Sequence, residues 1–331
     1  MRPFKPRVLL TTVLCAALLG AGTVSAALPD TSEPVGNQAP IAENLSLTTY
    51  KNVAITGYLQ AVDAEGDVLT FQLTSTPARG SVALAEDGTS RFVYTPYNNK
   101  TGKDSFTFVA VDRVGNVSNP AKVTVRIEKA NTAVTYSDME NNPAHKAAIR
   151  LAEQDIFVGA HVGEQYFFSP DTPVSRSQFL AMAMAVADLD PLEQVSVTGF
   201  ADDNAIPTWA KGYVSSALRA GVIHGARDAD GRIVFLPDAP VTRAQATVML
   251  NDLLNVSDVA VQSWSASGIN TQDDDHWAMQ AAANLTTAGV LRSSGTLTQD
   301  FDAVLTRAEV AELLDSSLDL LEQRNQRWFG W

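Results

Sequence analysis

The chain has almost no cysteine and a shortage of basic residues, and these absences exclude several classes of protein. Cys15 is the one cysteine among 331 residues, so no intrachain disulfide can form. Acidic residues outnumber basic ones by 37 to 24, for a net charge of −13. This balance argues against a nucleic-acid-binding protein and against a protein held at a membrane surface by basic residues.

The sequence also lacks the motifs of common catalytic and cofactor-binding sites. It contains no His-Glu-x-x-His, no Gly-x-Ser-x-Gly, no phosphate-binding loop and no Gly-x-Gly-x-x-Gly. The four histidines are scattered. We therefore expect a protein that is not an enzyme and that requires no cofactor.

Residues 1–26 are typical of a secretory signal peptide. Three basic residues in the first seven positions precede a short apolar stretch, and Val24-Ser25-Ala26 resembles a cleavage site. No later apolar run reaches the roughly 20 residues of a membrane-spanning helix. We expect an exported chain whose mature form has no transmembrane segment and begins with a polar, proline-containing linker at 27–40.

Residues 41–130 show the alternation of short β-strands. Apolar side chains alternate with polar or opposite-face residues around Phe106 and Phe108, and again from Val123 to Ile127. Asp87-Gly88 separates two further strand-like runs, which is a strong hairpin signal. Several short strands with turns between them predict an all-β sandwich.

The remainder is helical in period and contains an internal repeat. Three aligned segments begin at Val174, Val241 and Leu305 and read VSRSQFLAMAMAV, VTRAQATVMLNDL and LTRAEVAELLDSS. A shorter helix-like stretch precedes each segment. Each repeat is therefore predicted to be a helix, a loop and a second helix in about 60 residues.

Each second helix begins with the same capping signal. A serine or threonine at the N-cap is followed three residues later by glutamine or glutamate, which defines a capping box. The three pairs are Ser175 with Gln178, Thr242 with Gln245, and Thr306 with Glu309.

An arginine follows each N-cap, at Arg176, Arg243 and Arg307. A cation at a helix N-terminus is disfavoured by about 0.3–1 kcal/mol, so three in register indicate a role other than helix stability. Free backbone N–H groups and a guanidinium would together form an anion site. In the alternative, each arginine forms a structural ion pair with the aspartate five residues before it, as Arg243 would with Asp238.

Trp209 and Trp277 begin two of the preceding helices. A tryptophan in this place either fills the core, which is the commoner role, or stacks on the face of a sugar ring. The sequence leaves both roles open.

These motifs resemble S-layer homology domains over about residues 134–322. The second repeat carries the resemblance through Phe200-x-Asp202, Trp209-Ala210, Gly221-Val222-Ile223-x-Gly225, Phe235-x-Pro237 and Val241-Thr242-Arg243-Ala244-Gln245. The third keeps Trp277-Ala278, Gly289-Val290 and Leu305-Thr306-Arg307-Ala308-Glu309, whereas the first lacks the tryptophan but keeps Gly159.

The resemblance implies an all-α prism of three repeats with pseudo-threefold symmetry. In this family, grooves between repeats bind an anionic, often pyruvylated, cell-wall polysaccharide, and the motif arginine contacts the sugar. The implied polymer-binding residues are, in order of closeness to the motif, Arg243 with Trp209, Arg307 with Trp277, and Arg176, joined by Gly225 and Gly159.

The β region resembles bacterial cadherin-like, immunoglobulin-type domains. The resemblance rests on Asn37-Gln38-Ala39-Pro40, Asp63-Ala64-Glu65-Gly66-Asp67, Phe92-Val93-Tyr94-Thr95-Pro96 and Asp104-Ser105-Phe106. Oxygen ligands at Asp63, Glu65 and Asp67, with Asp112 from another loop, suit Ca²⁺. Two solvated turns are the alternative.

We therefore expect a cell-surface protein that anchors to cell-wall polysaccharide and displays a spacer or adhesive domain, with other surface proteins as further partners. A self-assembling lattice subunit and an anchor to peptidoglycan are the alternatives. The expected boundaries are 1–26 for the signal, 27–40 for the linker, 41–130 for the β-sandwich, 134–192, 197–257 and 264–322 for the repeats, and 323–331 for a C-terminal tail.

Overall fold

The structure is a computed structural model that describes residues 36–259, 276–291 and 300–329. The predicted signal at 1–26 and most of the predicted linker lie outside these residues. So do parts of the predicted third repeat.

Residues 41–128 form a β-sandwich-like region. Its strands are β1 (Ile41–Ala42), β2 (Leu45–Tyr50), β3 (Ile55–Tyr58), β4 (Ala61–Val62), β5 (Thr70–Leu73), β6 (Gly80–Leu84), β7 (Arg91–Pro96), β8 (Gly102–Val111) and β9 (Ala121–Glu128). A four-stranded sheet has the order β2-β9-β8-β5, with β2 parallel to β9, and a three-stranded sheet has the order β3-β7-β6. Strands β1 and β4 form a separate ribbon.

The alternation of side chains places one face of each sheet in a shared core. Phe92 and Tyr94 from β7 pack with Phe106 and Phe108 from β8, and all four are at most 1% exposed. The hairpin predicted at Asp87-Gly88 is confirmed, because β6 and β7 pair antiparallel on either side of it. The β class predicted from the sequence is therefore correct.

The rest of the described chain is mainly helical. Its helices are α1 (His145–Glu153), α2 (Arg176–Val186), α3 (Thr208–Arg219), α4 (Arg243–Leu254), α5 (Met279–Thr287) and α6 (Arg307–Phe329). The hairpin β10 (Ala160–Val162) with β11 (Gln165–Phe167) separates α1 from α2, and β12 (Ala226–Arg227) with β13 (Ile233–Val234) separates α3 from α4. Helix α6 continues through most of the stretch that the sequence assigns to a C-terminal tail.

A closed ring of backbone hydrogen bonds joins the segments just before α2, α4 and α6. Val174 N–H donates to the Leu305 carbonyl at 3.0 Å, Leu305 N–H to Val241 at 3.0 Å, and Val241 N–H to Val174 at 2.9 Å. All three residues are at most 2% exposed. The three segments therefore meet at one buried point, each bonded to the other two.

The β-sandwich and the helical part share buried contacts. Tyr50 and Val53 belong to the same hydrophobic cluster as the helical core. The Tyr50 hydroxyl and the Asn131 N–H both donate to the Glu153 carboxylate at the end of α1. Burial, and then the bond to Glu153, raise the pKa of Tyr50, which therefore remains a neutral donor.

A charge cluster centred on the buried Arg150 and Asp315 ties α1 to α6. Arg150 is 8% exposed and contacts Asp315 at 2.8 Å, Asp319 at 2.5 Å and Glu322 at 2.6 Å. Lys146 also binds Asp315, at 2.7 Å. The first and last helices of the helical part are thus joined by ion pairs as well as by apolar packing.

No helix within residues 36–259, 276–291 and 300–329 has the length and apolarity needed to cross a membrane.

Candidate ligand-binding grooves

The capping boxes at the starts of α2, α4 and α6 are confirmed. Ser175 and Thr242 accept hydrogen bonds from the backbone of Gln178 and Gln245, whose side chains bond back to the N-cap N–H. In α6 the Glu309 carboxylate accepts the Thr306 N–H at 2.8 Å. Each helix therefore begins at the residue predicted from the sequence.

The prediction of free N–H groups beside each arginine is wrong. The first backbone N–H of each helix donates to the loop of a neighbouring segment: Arg176 to Ala239, Arg243 to Ala303, and Arg307 to Thr172, each at 2.9 Å. The second N–H groups of the three helices do the same at 3.0 Å. Because these N–H groups already donate to neighbouring segments of the ring, an anion could bind the guanidinium groups but not the backbone amides at the helix starts.

Arg243, the arginine with the best motif match, is buried and paired. It is 4% exposed, its Nη1 donates to the Asp300 carbonyl at 2.8 Å, and its Nη2 contacts the Glu309 carboxylate at 3.0 Å. Glu309 is the capping-box acid of α6. The acid in this position pairs with the arginine of the neighbouring segment, and among the described residues only the buried Nε of Arg243 is left without a partner.

Arg307 lies against the first segment in a closed environment. Its Nη1 donates to the Phe168 carbonyl at 3.0 Å, and its guanidinium lies 5.3 Å from the centre of the Phe157 ring. The space lined by Phe157, Gln178, Met182 and Arg307 is only about 10 Å³.

Arg176 lies in an open groove of about 320 Å³. The lining residues come from the start of α2, the α3–β12 loop, α4 and the start of α5, namely Arg176, Val222, Ile223, His224, Gly225, Ala226, Gln245, Val248, Met249 and Trp277. No carboxylate occurs among them. Gln245 occupies the capping-box position of α4, as Glu309, the acid paired with Arg243, does in α6.

The Arg176 guanidinium is only partly satisfied by the protein. It lies 5.2 Å from the centre of the Phe235 ring, and its buried Nε, like that of Arg243, has no hydrogen-bond partner among the described residues. Burial lowers the pKa of Arg176 to about 10, so it is still charged at neutral pH. A buried, unpaired donor on a cation favours an anionic ligand that supplies the missing acceptor.

The predicted pairing of each arginine with the aspartate five residues earlier is also wrong. Over the described ranges, none of the ion pairs joins Arg176, Arg243 or Arg307 to such an aspartate, Asp238 included. The arginines instead contact neighbouring segments, because each helix start is inserted against the loop of the next segment in the ring.

Both helix-starting tryptophans are exposed, so the core-packing alternative is wrong. Trp209 is 52% exposed and Trp277 is 63% exposed. Trp277 borders the groove of Arg176. An exposed indole beside a cationic groove is suited to stack on a sugar ring.

The aromatic-x-Asp motif shapes the loops that receive the arginines. The Asp138 carboxylate accepts the N–H groups of Phe168 and Ser169, and Asp202 accepts those of Phe235 and Leu236, at 2.7–2.9 Å. These bonds fix the loop that presents Phe235 to Arg176. The motif is visible in the sequence, but its partners are not.

Gly159 and Gly225 occupy equivalent places before β10 and β12, and both have positive φ, 78° and 76°. A Cβ on Gly159 would lie 2.4 Å from the Phe167 carbonyl oxygen, and one on Gly225 would lie 2.6 Å from the Phe200 ring. Glycine is therefore required for close packing at both positions. Gly225 additionally lines the groove.

Replacing Gly159 by alanine is expected to lower the free energy of unfolding by about 3 kcal/mol, the sum of left-handed strain and the clash with the Phe167 carbonyl. Gly163 is the matched control, because it has φ of 64° but a Cβ added there would meet no other atom within 4 Å. Gly163→Ala should cost only about 1 kcal/mol. Equal losses in urea unfolding would contradict this account.

Sequence reasoning missed His224, which lies in the groove of Arg176. It occupies the unspecified position of the Gly221-Val222-Ile223-x-Gly225 motif. A position that a motif leaves unspecified can still carry a functional side chain. The signal available in the sequence was a titratable residue directly after the apolar pair Val222 and Ile223.

The predicted calcium ligands of the β region lie in two turns and accept backbone hydrogen bonds there. Asp63 accepts the backbone N–H groups of Glu65 and Asp67, both at 3.0 Å. Asp112 accepts three N–H groups of its own loop, from Val114 to Asn116. In the portion of the chain that the structure describes, no three acidic or histidine side chains are grouped to hold a metal. Asp63 Oδ2 is buried without a hydrogen-bond partner among the described residues, and the calcium site stays a prediction.

Comparison with known protein families accounts for two parts of the chain. Residues 37–129 match the bacterial cadherin-like domain, and residues 199–247 match the S-layer homology domain. The second match contains Trp209, Gly225 and Arg243. The chain therefore contains one bacterial cadherin-like domain followed by an S-layer homology domain.

Curated relatives resemble part of the chain. The exoglucanase XynX of Acetivibrio thermocellus is 29% identical over 125 residues, 37% of this chain and 11% of the relative. An amylopullulanase of Thermoanaerobacterium thermosulfurigenes is 27% identical over 37% of this chain and 6% of its own length. The surface-layer 125 kDa protein of Lysinibacillus sphaericus is 28% identical over 42% of this chain and 12% of its own length. The chain thus spans only about a tenth of the length of these relatives.

Proposed function

We propose that this protein is a non-catalytic cell-surface protein that anchors by binding an anionic cell-wall polysaccharide in the groove of Arg176. The similarity to a surface-layer protein and the S-layer homology domain support a surface location. The export signal predicted at 1–26 agrees with such a location.

One observation carries the choice of groove. Of the three equivalent arginines, Arg243 is paired with Glu309 and Arg307 borders a space of only about 10 Å³, whereas Arg176 opens into about 320 Å³ whose described lining residues include no carboxylate. Trp277 supplies an exposed ring at the border of the same groove. A ketal or uronate carboxylate would bind the guanidinium while the sugar ring stacks on the indole.

The proposal includes three S-layer homology repeats arranged as a pseudo-threefold prism. The family match covers residues 199–247, and the ring of hydrogen bonds among Val174, Val241 and Leu305 supports equivalent segments before and after it. The repeated contact of each helix start with the next loop supports the same arrangement. The cadherin-like domain would act as a spacer or adhesive module, held to the anchor by Tyr50 and Glu153.

Co-sedimentation with cell-wall sacculi from the source organism tests the proposal. The full chain should bind sacculi that keep their acid-labile polymer and should not bind acid-extracted sacculi. Arg176→Ala should weaken binding by at least about 30-fold, since truncating one partner of a buried charge pair costs about 2 kcal/mol or more. Raised salt should weaken wild-type binding as well.

Arg126→Ala is the matched control, because it removes the same charge from an exposed position in the β-sandwich. It should bind like the wild type. Binding that ignores the polymer would make peptidoglycan the ligand, and sheets or filaments without wall binding would favour a lattice subunit. Either result would overturn the proposal.

A further inference from the structure

His224 shares the groove of Arg176 and has no role in the ring or in the helical core. It is exposed, whereas the two residues before it, Val222 and Ile223, are at most 5% exposed and hold the loop in place. Gly225 follows it with φ of 76°, which turns the backbone into β12. The imidazole is thus carried on a loop segment fixed on both sides.

Of the described residues that line the groove, Arg176 is the one with a permanent charge. From α4 the lining residues are Gln245, Val248 and Met249, and from the start of α5 the lining residue is Trp277. On the hairpin after His224, Arg227 donates to the Gly231 carbonyl and Asp228 is paired with Arg232. Among the described residues that line the groove, none is an acid that could neutralise a protonated imidazole.

We propose that His224 is a second ligand-binding residue of this groove and makes anchoring stronger in mildly acidic conditions. This inference rests on the function proposed above. Histidine is the side chain that changes charge between about pH 5 and 8, whereas carboxylates stay ionised over most of that range. Protonation therefore adds a second cation opposite an anionic ligand whose own charge does not change.

The sign of the effect follows from linkage. A ligand that binds the protonated imidazole more tightly is bound more strongly as the pH falls. Because His224 is exposed, the added attraction is that of a solvent-screened ion pair, at most about 1 kcal/mol or about a fivefold change in affinity. Arg176, which keeps its charge throughout, supplies the pH-independent part.

Isothermal titration of the full chain with the methyl glycoside of a pyruvylated N-acetylhexosamine tests the inference. Wild-type affinity should be about fivefold higher at about pH 5.5 than at about pH 7.5. His224→Gln should bind equally at both pH values, with the affinity that the wild type has at the higher pH. His161→Gln is the matched control, because His161 is an exposed histidine on β10, outside the groove, and it should keep the pH dependence of the wild type.

The outcomes separate this inference from the proposed function. If His224→Gln keeps the wild-type pH dependence, or the wild type shows none, while Arg176→Gln still weakens binding by at least about 30-fold, the role of His224 is wrong and the groove stands. If Arg176→Gln binds the sugar as the wild type does, or the sugar without its ketal binds equally well, the proposed function itself is wrong.

Discussion

Replacing Arg150 by methionine is expected to destabilise the helical part by about 3 kcal/mol. The substitution leaves Asp315, which is 9% exposed, with only Lys146 as an ion-pair partner among the described residues. Removing one member of a buried ion pair typically costs about 3–5 kcal/mol, because the remaining charge is uncompensated. Lys146 keeps the loss at the lower end. Urea unfolding followed by helical circular dichroism measures it.

Two further variants distinguish this effect from a general loss of surface charge. Arg126→Met breaks an exposed ion pair with Glu128 and should cost less than about 1 kcal/mol. Arg150→Met combined with Asp315→Leu should be more stable than Arg150→Met alone, because an apolar pair replaces a largely buried carboxylate that Lys146 alone still compensates. A double variant less stable than the single one would contradict the proposed role of the charge cluster.

Replacing Glu309 by glutamine is expected to convert Arg243 into a second anion-binding residue. Gln178 and Gln245 show that glutamine completes the capping box, so α6 keeps its start. The change removes the carboxylate that now binds Arg243 at 3.0 Å. Because Glu309 is partly exposed, the unliganded variant should lose about 2 kcal/mol of stability, below the roughly 3–5 kcal/mol of a fully buried pair.

Ligand binding should restore that stability. Titration with the pyruvylated glycoside should give two sites per chain in place of one, and ligand at about 100 times its Kd should add about 2.7 kcal/mol through the new site. Glu128→Gln, which removes the same charge from the β-sandwich, should leave one site. A single site in Glu309→Gln would show that the ion pair is not what closes this groove.

The contrast between Arg176 and Arg243 shows which features of the site can be predicted from the sequence and which cannot. The capping boxes depend on residues three apart, so the pairs Ser175 with Gln178 and Thr242 with Gln245 are predictable from local pattern. The partner of each arginine depends on which segment lies next to it after the ring has closed. Closeness to the motif places Arg243 first, but the structure pairs it with Glu309 and leaves Arg176 open.

The tryptophans illustrate a second limit of local pattern. Trp209 begins an amphipathic helix whose apolar face is filled by Ala210, Val214 and Ala217, all fully buried. Small residues let the helices approach closely, so the core has no room for an indole. Periodicity identifies the apolar face, but only the packing distance between elements decides which large side chains remain outside.

The ring formed by Val174, Val241 and Leu305 also sets an order of events during synthesis. Two of its three hydrogen bonds involve Leu305, the last of the three residues to be translated. Until that residue is made, the Val174 N–H and the Val241 carbonyl lack their partners, and buried unpaired backbone groups are costly. Contacts between such distant residues form slowly. We therefore expect the helical part to complete its core and its grooves only when the segment around Leu305 has joined the other two.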